Sequence, residues 1–154
     1  MPIVIVEGNN RVGKSTYCKQ LSEYLKIPVL RIRRPANRIE AMRDPFTLYD
    51  IIKAFNLQSF ILDRFYPSEY VYHDEHSFTD FDEIEELYKN IATIIYLKAP
   101  KEVILKRWAE KNQDVLNYDY DKLIDRFEYV LTNTKLPIVI LYTKEGKDYA
   151  KITL

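Results

Sequence analysis

Five short runs dominated by apolar and β-branched residues, at 2–6, 29–32, 58–62, 93–97 and 137–142, alternate with stretches where apolar side chains recur every three or four positions. The first run stops at Glu7-Gly8. From Ser15 it is followed by Tyr17, Cys18, Leu21, Tyr24 and Leu25, a helical stripe that ends before Pro28. Asp44-Pro45 reads as an N-cap and first helical residue ahead of Leu48, Ile52 and Phe55. Thr79, with Asp82 three residues later, resembles a capping box for a helix carrying Phe81, Ile84, Leu87 and Tyr88. Pro100 opens a further helix through Val103, Ile104 and Trp108, and Leu123, Ile124, Phe127, Val130 and Leu131 mark another. The stretch after Asp63-Arg64 reads as an aromatic-rich connection, and residues 111–121 as a polar, aperiodic flap. Strands that alternate with helices are joined by crossovers, so the pattern predicts an α/β fold: a five-stranded parallel sheet with helices on both faces, without linker or repeat.

A chain of 154 residues, 47% hydrophobic, suits one domain spanning 1–154. Lys and Arg number 23 against 23 Asp and Glu, so the molecule has no broad basic field for a nucleic-acid duplex. Cys18 stands alone, which excludes an internal disulfide or a cysteine-built zinc site and points to a reducing, cytoplasmic setting. No apolar run approaches the roughly 18 residues that a membrane span needs, and no cationic stretch precedes the first apolar run as in a targeting peptide. No membrane partner is expected. The chain has only 3 Gly, and two of them, Gly8 and Gly13, fall six positions apart or fewer.

Those two glycines belong to Gly8-Asn9-Asn10-Arg11-Val12-Gly13-Lys14-Ser15, which satisfies the Walker A pattern between an expected strand and an expected helix. Glycine lets successive backbone N–H groups curl toward phosphates, and the helix N-terminus adds favourable potential. Lys14 can reach the β and γ oxygens, while Ser15 can hold Mg²⁺. A nucleoside triphosphate such as ATP is the implied ligand. A P-loop that binds a nucleotide without turning it over is the non-catalytic alternative.

Ile5-Val6-Glu7-Gly8 through Thr16, with Ile61-Leu62-Asp63-Arg64-Phe65 and Ser68, resembles the thymidylate kinase and deoxynucleoside kinase group of P-loop kinases. The closer similarity is to thymidylate kinase, whose Asp-Arg-aromatic-x-x-Ser-x-x-Ala-Tyr-Gln pattern is met by Asp63, Arg64, Phe65, Ser68, Val71, Tyr72 and His73. His73 replaces the Gln that lies near the base in that family. Arg11 resembles the catalytic arginine that one subgroup keeps in the P-loop, and the lid-like stretch 111–121 contains no arginine. Asn10 stands where that subgroup has Asp. The specific matches cover 5–16, 61–73 and, more weakly, 97–107. The resemblance implies a compact, phage-type member with a three-layer α/β/α nucleotide kinase fold, ATP and Mg²⁺ as cofactors, a small-molecule nucleotide substrate, and the homodimer common in the family.

Phosphoryl transfer is mostly positioning and charge neutralisation, so the cations around the transferred group matter most. The candidates are Lys14, Arg11, Arg107 and Mg²⁺, with the nucleotide cradled by 8–16: Gly8, Asn9, Asn10, Arg11, Val12, Gly13, Lys14, Ser15 and Thr16. Asp63 at a strand end can orient the metal with Ser15, or it pairs with Arg64 as a surface ion pair. Deoxynucleoside kinases carry a carboxylate before Pro at the end of the second strand, and here that stretch reads Arg33-Arg34-Pro35. Cations replace the general base, which favours an acceptor that already bears a phosphate, held by Arg34, Arg43 and Arg64. Glu7 as a base keeps a nucleoside acceptor open. Tyr72 matches the family tyrosine that packs on the sugar and disfavours a 2′-hydroxyl, or it simply packs, and Phe65, Tyr66 and Tyr70 either line a base pocket or simply pack. The expected reaction is transfer of the ATP γ-phosphate to a deoxynucleoside 5′-monophosphate, dTMP or a related pyrimidine. The rivals are a deoxynucleoside kinase and a nucleic-acid or modified-base kinase that uses Arg31, Arg33, Arg34, Arg38 and Arg43. His73 and His76 with Asp74 and Glu75 lack a third well-placed ligand and read as a solvated loop.

Overall fold

A computed structural model of the protein describes residues 3–9, 12–32, 35–72, 78–110 and 119–142. The chain runs β1 (Ile3–Gly8), α1 (Lys14–Leu25), β2 (Val29–Leu30), α2 (Arg38–Phe55), β3 (Ile61–Asp63), α3 (Tyr66–Tyr72), α4 (Phe78–Tyr88), β4 (Ala92–Lys98), α5 (Lys101–Glu110), α6 (Tyr120–Thr132) and β5 (Ile138–Tyr142). The sheet is five-stranded and parallel, in the order β2-β3-β1-β4-β5. β1 is central and fully buried, flanked by β3 (Val6 beside Asp63) and β4 (Gly8 beside Leu97). From β1 the chain goes to the edge strand β2, returns inward to β3 beside β1, and then crosses to β4 and β5 on the other side. The order therefore reverses at β1, where the carboxyl ends of β1 and β3 open a crevice of the kind that binds ligands in α/β sheets.

The two-residue period of the strands sorts side chains into two cores. Ile3, Ile5, Leu62, Ile94 and Tyr96 face a layer built from α2, α3, α4 and α6, through residues such as Ile52, Tyr70, Ile84 and Phe127. Val4, Val6, Ile61, Ile95 and Leu97 face α1 and α5 through Tyr17, Cys18, Leu21 and Ile104. Helices thus cover both faces, giving the expected three-layer α/β/α arrangement. No helix among the described residues is long and apolar enough to cross a membrane.

Four sequence expectations need correction. α2 begins at Arg38, not at Asp44-Pro45, because Asn37 caps it: the Asn37 side chain accepts from Glu40 N at 3.0 Å, and the Glu40 carboxylate accepts from Ala36 N at 2.7 Å. Pro45 consequently lies inside the helix, where it lacks an N–H to donate backward. Its carbonyl instead accepts the Tyr88 hydroxyl at 2.6 Å, which ties α2 to α4. The aromatic-rich connection after Arg64 contains a helix, α3, whose residues Tyr66, Pro67, Ser68, Tyr70 and Val71 are all buried. A helix buried on nearly every side has no polar face and so shows no amphipathic period. Its last carbonyls are held by Arg126 of α6, with Nε to Val71 O at 2.9 Å and Nη2 to Tyr70 O at 2.5 Å. Thr79 is the second residue of α4 rather than its cap. Of the expected flap, 111–118 lie outside the described residues, while Asp119 caps α6 through Lys122 N at 3.0 Å and Tyr120 and Asp121 begin that helix.

α4 also buries Glu85 completely. Its carboxylate accepts the Tyr66 hydroxyl and, at 2.7 Å, Lys135 N, so it joins α3, α4 and the segment before β5. Burial raises the Glu85 carboxyl above its ordinary 4.5, against the pull of those hydrogen bonds. Two outcomes are predicted. Glu85→Ala strands the buried Tyr66 hydroxyl and the part-buried Lys135 N–H and lowers stability by about 1–3 kcal/mol in urea denaturation. Because the folded-state value is raised, the neutral carboxyl contributes its stability fully below pH 4.5, and that contribution is lost as pH rises through the folded-state value. The stability of Glu85→Gln relative to the wild type should therefore increase from pH 4.5 to pH 7, and a flat difference would contradict the raised carboxyl.

Candidate active site

The site begins where β1 ends. Gly8 has φ 156°, and a Cβ there would lie 2.9 Å from the Leu97 carbonyl oxygen and 2.9 Å from Val12 Cγ1. Glycine is thus required for the chain to turn against β4. The loop closes on itself through Val12 N to Asn9 O at 3.2 Å, with both residues buried. It ends at Gly13, φ 98°, which serves as the N-cap of α1. Glycine offers no capping side chain, so the first-turn N–H groups of α1 are kept for another acceptor, the arrangement that favours an anion.

Lys14 opens α1, is 7% exposed, and donates from Nζ to Asn9 O at 3.2 Å. Burial, and next the neighbouring Arg64, lower its ammonium from the ordinary 10.5 to about 7. A cation so poorly solvated is primed for a phosphate, which would restore its charged form. Ser15 and Thr16 follow on the exposed side of α1. Cys18, one turn on, is buried, and burial pushes its thiol up to about 12, which leaves it a packing residue.

β3 delivers Asp63 beside this loop. Ser15 Oγ lies 3.3 Å from Asp63 Oδ2, and Arg31, just past β2, reaches both: Nη2 donates to Ser15 Oγ at 3.0 Å and Nε lies 3.2 Å from Asp63 Oδ2. A hydroxyl and one carboxylate are hard oxygen donors of the kind that hold Mg²⁺ together with phosphate oxygens and water. Among the described residues no group of three or more His, Cys, Asp or Glu competes as a metal site. The donor set fits Mg²⁺.

After Asp63 the chain turns sharply. Arg64 adopts φ 70°, left-handed for a non-glycine residue, and its N–H bonds Val6 O at 3.0 Å. Such a conformation costs of order 1–3 kcal/mol and persists only where its surroundings over-determine it. The fully buried Glu7 does so here, its carboxylate accepting Phe65 N at 2.9 Å and the Ser68 hydroxyl. Arg64 Nη1 donates to Ser68 Oγ at 3.4 Å, and its guanidinium lies 5.2 Å from the Tyr72 ring centroid. Burial raises the Glu7 carboxyl, opposed by Ser68 and by the charges of Arg64 and Lys14.

The structure thus gathers Gly8, Asn9, Val12, Gly13, Lys14, Ser15, Thr16, Asp63, Arg64, Ser68 and Tyr72 around one crevice. Asn10, Arg11, Arg34 and His73 lie outside the described residues. Arg107 is half-buried in the last turn of α5. Arg43 is exposed on α2, and among the described residues no hydrogen bond or ion pair links it to the crevice. Two residues that sequence reasoning named take roles that it did not assign them. Glu7 is a brace rather than an accessible base, legible only as a charged residue in an otherwise apolar strand. Arg31 had one usable signal: β2 and β3 pair Leu30 with Leu62, so Arg31 and Asp63 each stand one residue past that rung.

No protein-family model matches the chain. A curated relative, the uncharacterized SPbeta prophage-derived protein YorR of Bacillus subtilis strain 168, is 27% identical over 150 residues, covering 88% of this chain and 86% of the relative. The crystal structure of Bacillus subtilis YorR in complex with phosphorylated GDP superposes with a TM-score of 0.72 at 23% identity, over 94% of this chain and 86% of that one. Deoxyadenosine kinase from M. mycoides with bound dATP gives a TM-score of 0.58 at 16% identity, over 95% and 92% of the two chains. Thymidylate kinase from Candida albicans gives 0.60 at 18% identity, over 94% and 85%. The protein shares the fold of these P-loop kinases.

Gly8→Ala should force the P-loop away from the Leu97 carbonyl, a backbone atom with little freedom to yield. The expected result is a loss of about 1–3 kcal/mol in urea denaturation together with loss of ATP retention in equilibrium dialysis. Unchanged stability and binding would remove the close approach from the account of the loop.

Proposed function

We propose that the protein transfers the γ-phosphate of ATP to a deoxynucleoside 5′-monophosphate, with dTMP or a related pyrimidine nucleotide as acceptor. The observation that carries this reading is the meeting of a phosphate loop and an Asp-Arg turn: Ser15 Oγ lies 3.3 Å from Asp63 Oδ2, and Arg64 follows in a conformation fixed by Glu7. Phosphate-binding loop, metal donors and acceptor cation then share one crevice. The similarity to YorR, whose structure holds phosphorylated GDP, and to deoxyadenosine and thymidylate kinases supports nucleotide phosphotransfer as its general class.

In this reading Lys14 and Arg11 neutralise the transferred phosphoryl group, helped by Arg107, while residues 8–16 cradle the triphosphate. Ser15 and Asp63 would hold Mg²⁺, which would supply charge neutralisation for the transferred phosphoryl group. Arg34, Arg43 and Arg64 hold the acceptor phosphate, and Tyr72, braced by Arg64, and His73 face its nucleoside part. The acceptor phosphate oxygen bonds to the γ-phosphorus as the bond to the β-phosphate bridging oxygen breaks, so that ADP and a nucleoside diphosphate leave. An anionic acceptor needs no base. That suits a site whose nearest buried carboxylate, Glu7, is already engaged by Phe65 N and Ser68. A deoxynucleoside acceptor is the second reading, supported by the likeness to deoxyadenosine kinase.

The test is ADP release from Mg-ATP across all deoxynucleosides, their 5′-monophosphates and a short DNA, with products separated by chromatography. Turnover with one monophosphate and formation of its diphosphate is expected; turnover with nucleosides or DNA alone would move the acceptor to that class. Lys14→Ala should lower kcat by about a hundredfold or more, as for loss of a principal charge stabiliser. Arg64→Ala should raise the acceptor KM about tenfold while leaving the KM for ATP nearly unchanged. An equal rise in both constants would remove the acceptor role from Arg64.

A further inference from the structure

Arg31 has no part in the proposed transfer to a nucleotide, yet it makes close cationic contacts at the mouth of the crevice. Its guanidinium spans Ser15 Oγ at 3.0 Å and Asp63 Oδ2 at 3.2 Å, the same two oxygens that fit a divalent cation. The Asp63 side chain is 7% exposed, whereas that of Arg31 is 68% exposed. A nearly buried carboxylate is thus neutralised from outside by a side chain that is free to leave. The placement is built into the sheet, since the Leu30–Leu62 rung sets Arg31 level with Asp63.

We infer that Arg31 is a tethered cation that fills the metal position of the nucleotide-free protein and exchanges with Mg²⁺ when the metal arrives on a nucleoside triphosphate. A magnesium ion sits about 2.0–2.1 Å from its oxygen ligands, so it cannot share this oxygen pair with a guanidinium already spanning both. One cation must displace the other. A free hydrated metal, offered one carboxylate and one hydroxyl, competes poorly with a resident guanidinium. A metal already bound to a triphosphate brings further ligands and the negative charge that draws the guanidinium away. An arginine that is 68% exposed can leave its partner for water or another anion, and the planar fork of arginine matches phosphate oxygens. The exchange makes metal binding conditional on nucleotide. It also passes a positive charge to the polyphosphate as the metal enters, so Asp63 is never left buried without a counter-charge.

This inference rests on the assignment of Ser15 and Asp63 as metal donors in the proposed kinase, but its test needs neither nucleotide nor turnover. Mn²⁺ is titrated into the nucleotide-free protein and followed by the electron paramagnetic resonance signal of the free ion, at 0.15 M salt, where the Debye length is about 8 Å and distant charges count little. Arg31→Gln changes an exposed side chain and leaves the fold standing. It should bind Mn²⁺ at least about fivefold more tightly than the wild type, and adding Asp63→Asn should abolish the gain. Arg31→Lys, which keeps the charge but loses the fork, should fall between the two. Identical titrations for wild type and Arg31→Gln, whether saturating or flat, overturn the exchange, as does a gain that survives Asp63→Asn. A silent acceptor panel alongside a fivefold gain would instead fail the kinase reading and leave the exchange in place.

Discussion

A carboxylate with no solvent contact stands at the end of the central strand, and much of the site follows from satisfying it. Glu7 lies between buried apolar neighbours in β1, and burial alone would make its charge untenable. Phe65 N and the Ser68 hydroxyl answer it, and to do so the chain after β3 must fold back sharply, placing Arg64 in the left-handed region. That turn starts α3, aims the Arg64 guanidinium across Tyr72, and leaves Asp63 at the strand end facing Ser15. The P-loop and the Asp-Arg turn are thus two halves of one hydrogen-bonded unit.

The electrostatics of the crevice express the same tension. Lys14 and Glu7 are both driven toward their neutral forms by burial, with Arg64 pressing on the first and relieving the second. Asp63 is satisfied at the rim by Arg31. Among the described residues of the crevice, Lys14, Arg31 and Arg64 face Glu7 and Asp63, and the α1 N-terminus, which no side chain caps, adds to the positive side. In the proposed function this imbalance is the electrostatic form of a preference for polyanions.

What could be read directly from the chain was whatever is encoded in adjacent residues. Residues 8–15 announce a phosphate loop because its function needs glycines, lysine and a hydroxyl at fixed spacing. The five strands were visible because β-branched runs with turn residues are local signals, and their parallel order followed from the helices between them. The α2 start was misplaced because Asp44-Pro45 imitates a helix opening, whereas the actual N-cap, Asn37, lies seven residues earlier and works with Glu40. α3 left no trace because burial on nearly all sides erases the period that marks a helix. The roles of Glu7 and Arg31 depend on partners 58 and 32 residues away in sequence, contacts that no local pattern contains.

The central place of β1 has a consequence for the order in which the molecule takes shape. Its two neighbours are β3, where Val4 meets Ile61, and β4, where Gly8 meets Leu97. At a synthesis rate of about 5–20 residues per second, the P-loop segment leaves the ribosome about 5–20 s before β4 can flank it. During that interval a strand that is fully buried in the folded protein lacks one of its two neighbours, although β3 and the donors of Glu7 are made earlier than β4. Pairing over such long sequence separations is slow compared with forming helices. The turn from β1 into α1 is therefore among the earliest segments made and among the last to acquire its native surroundings, which are complete only when most of the sheet is assembled.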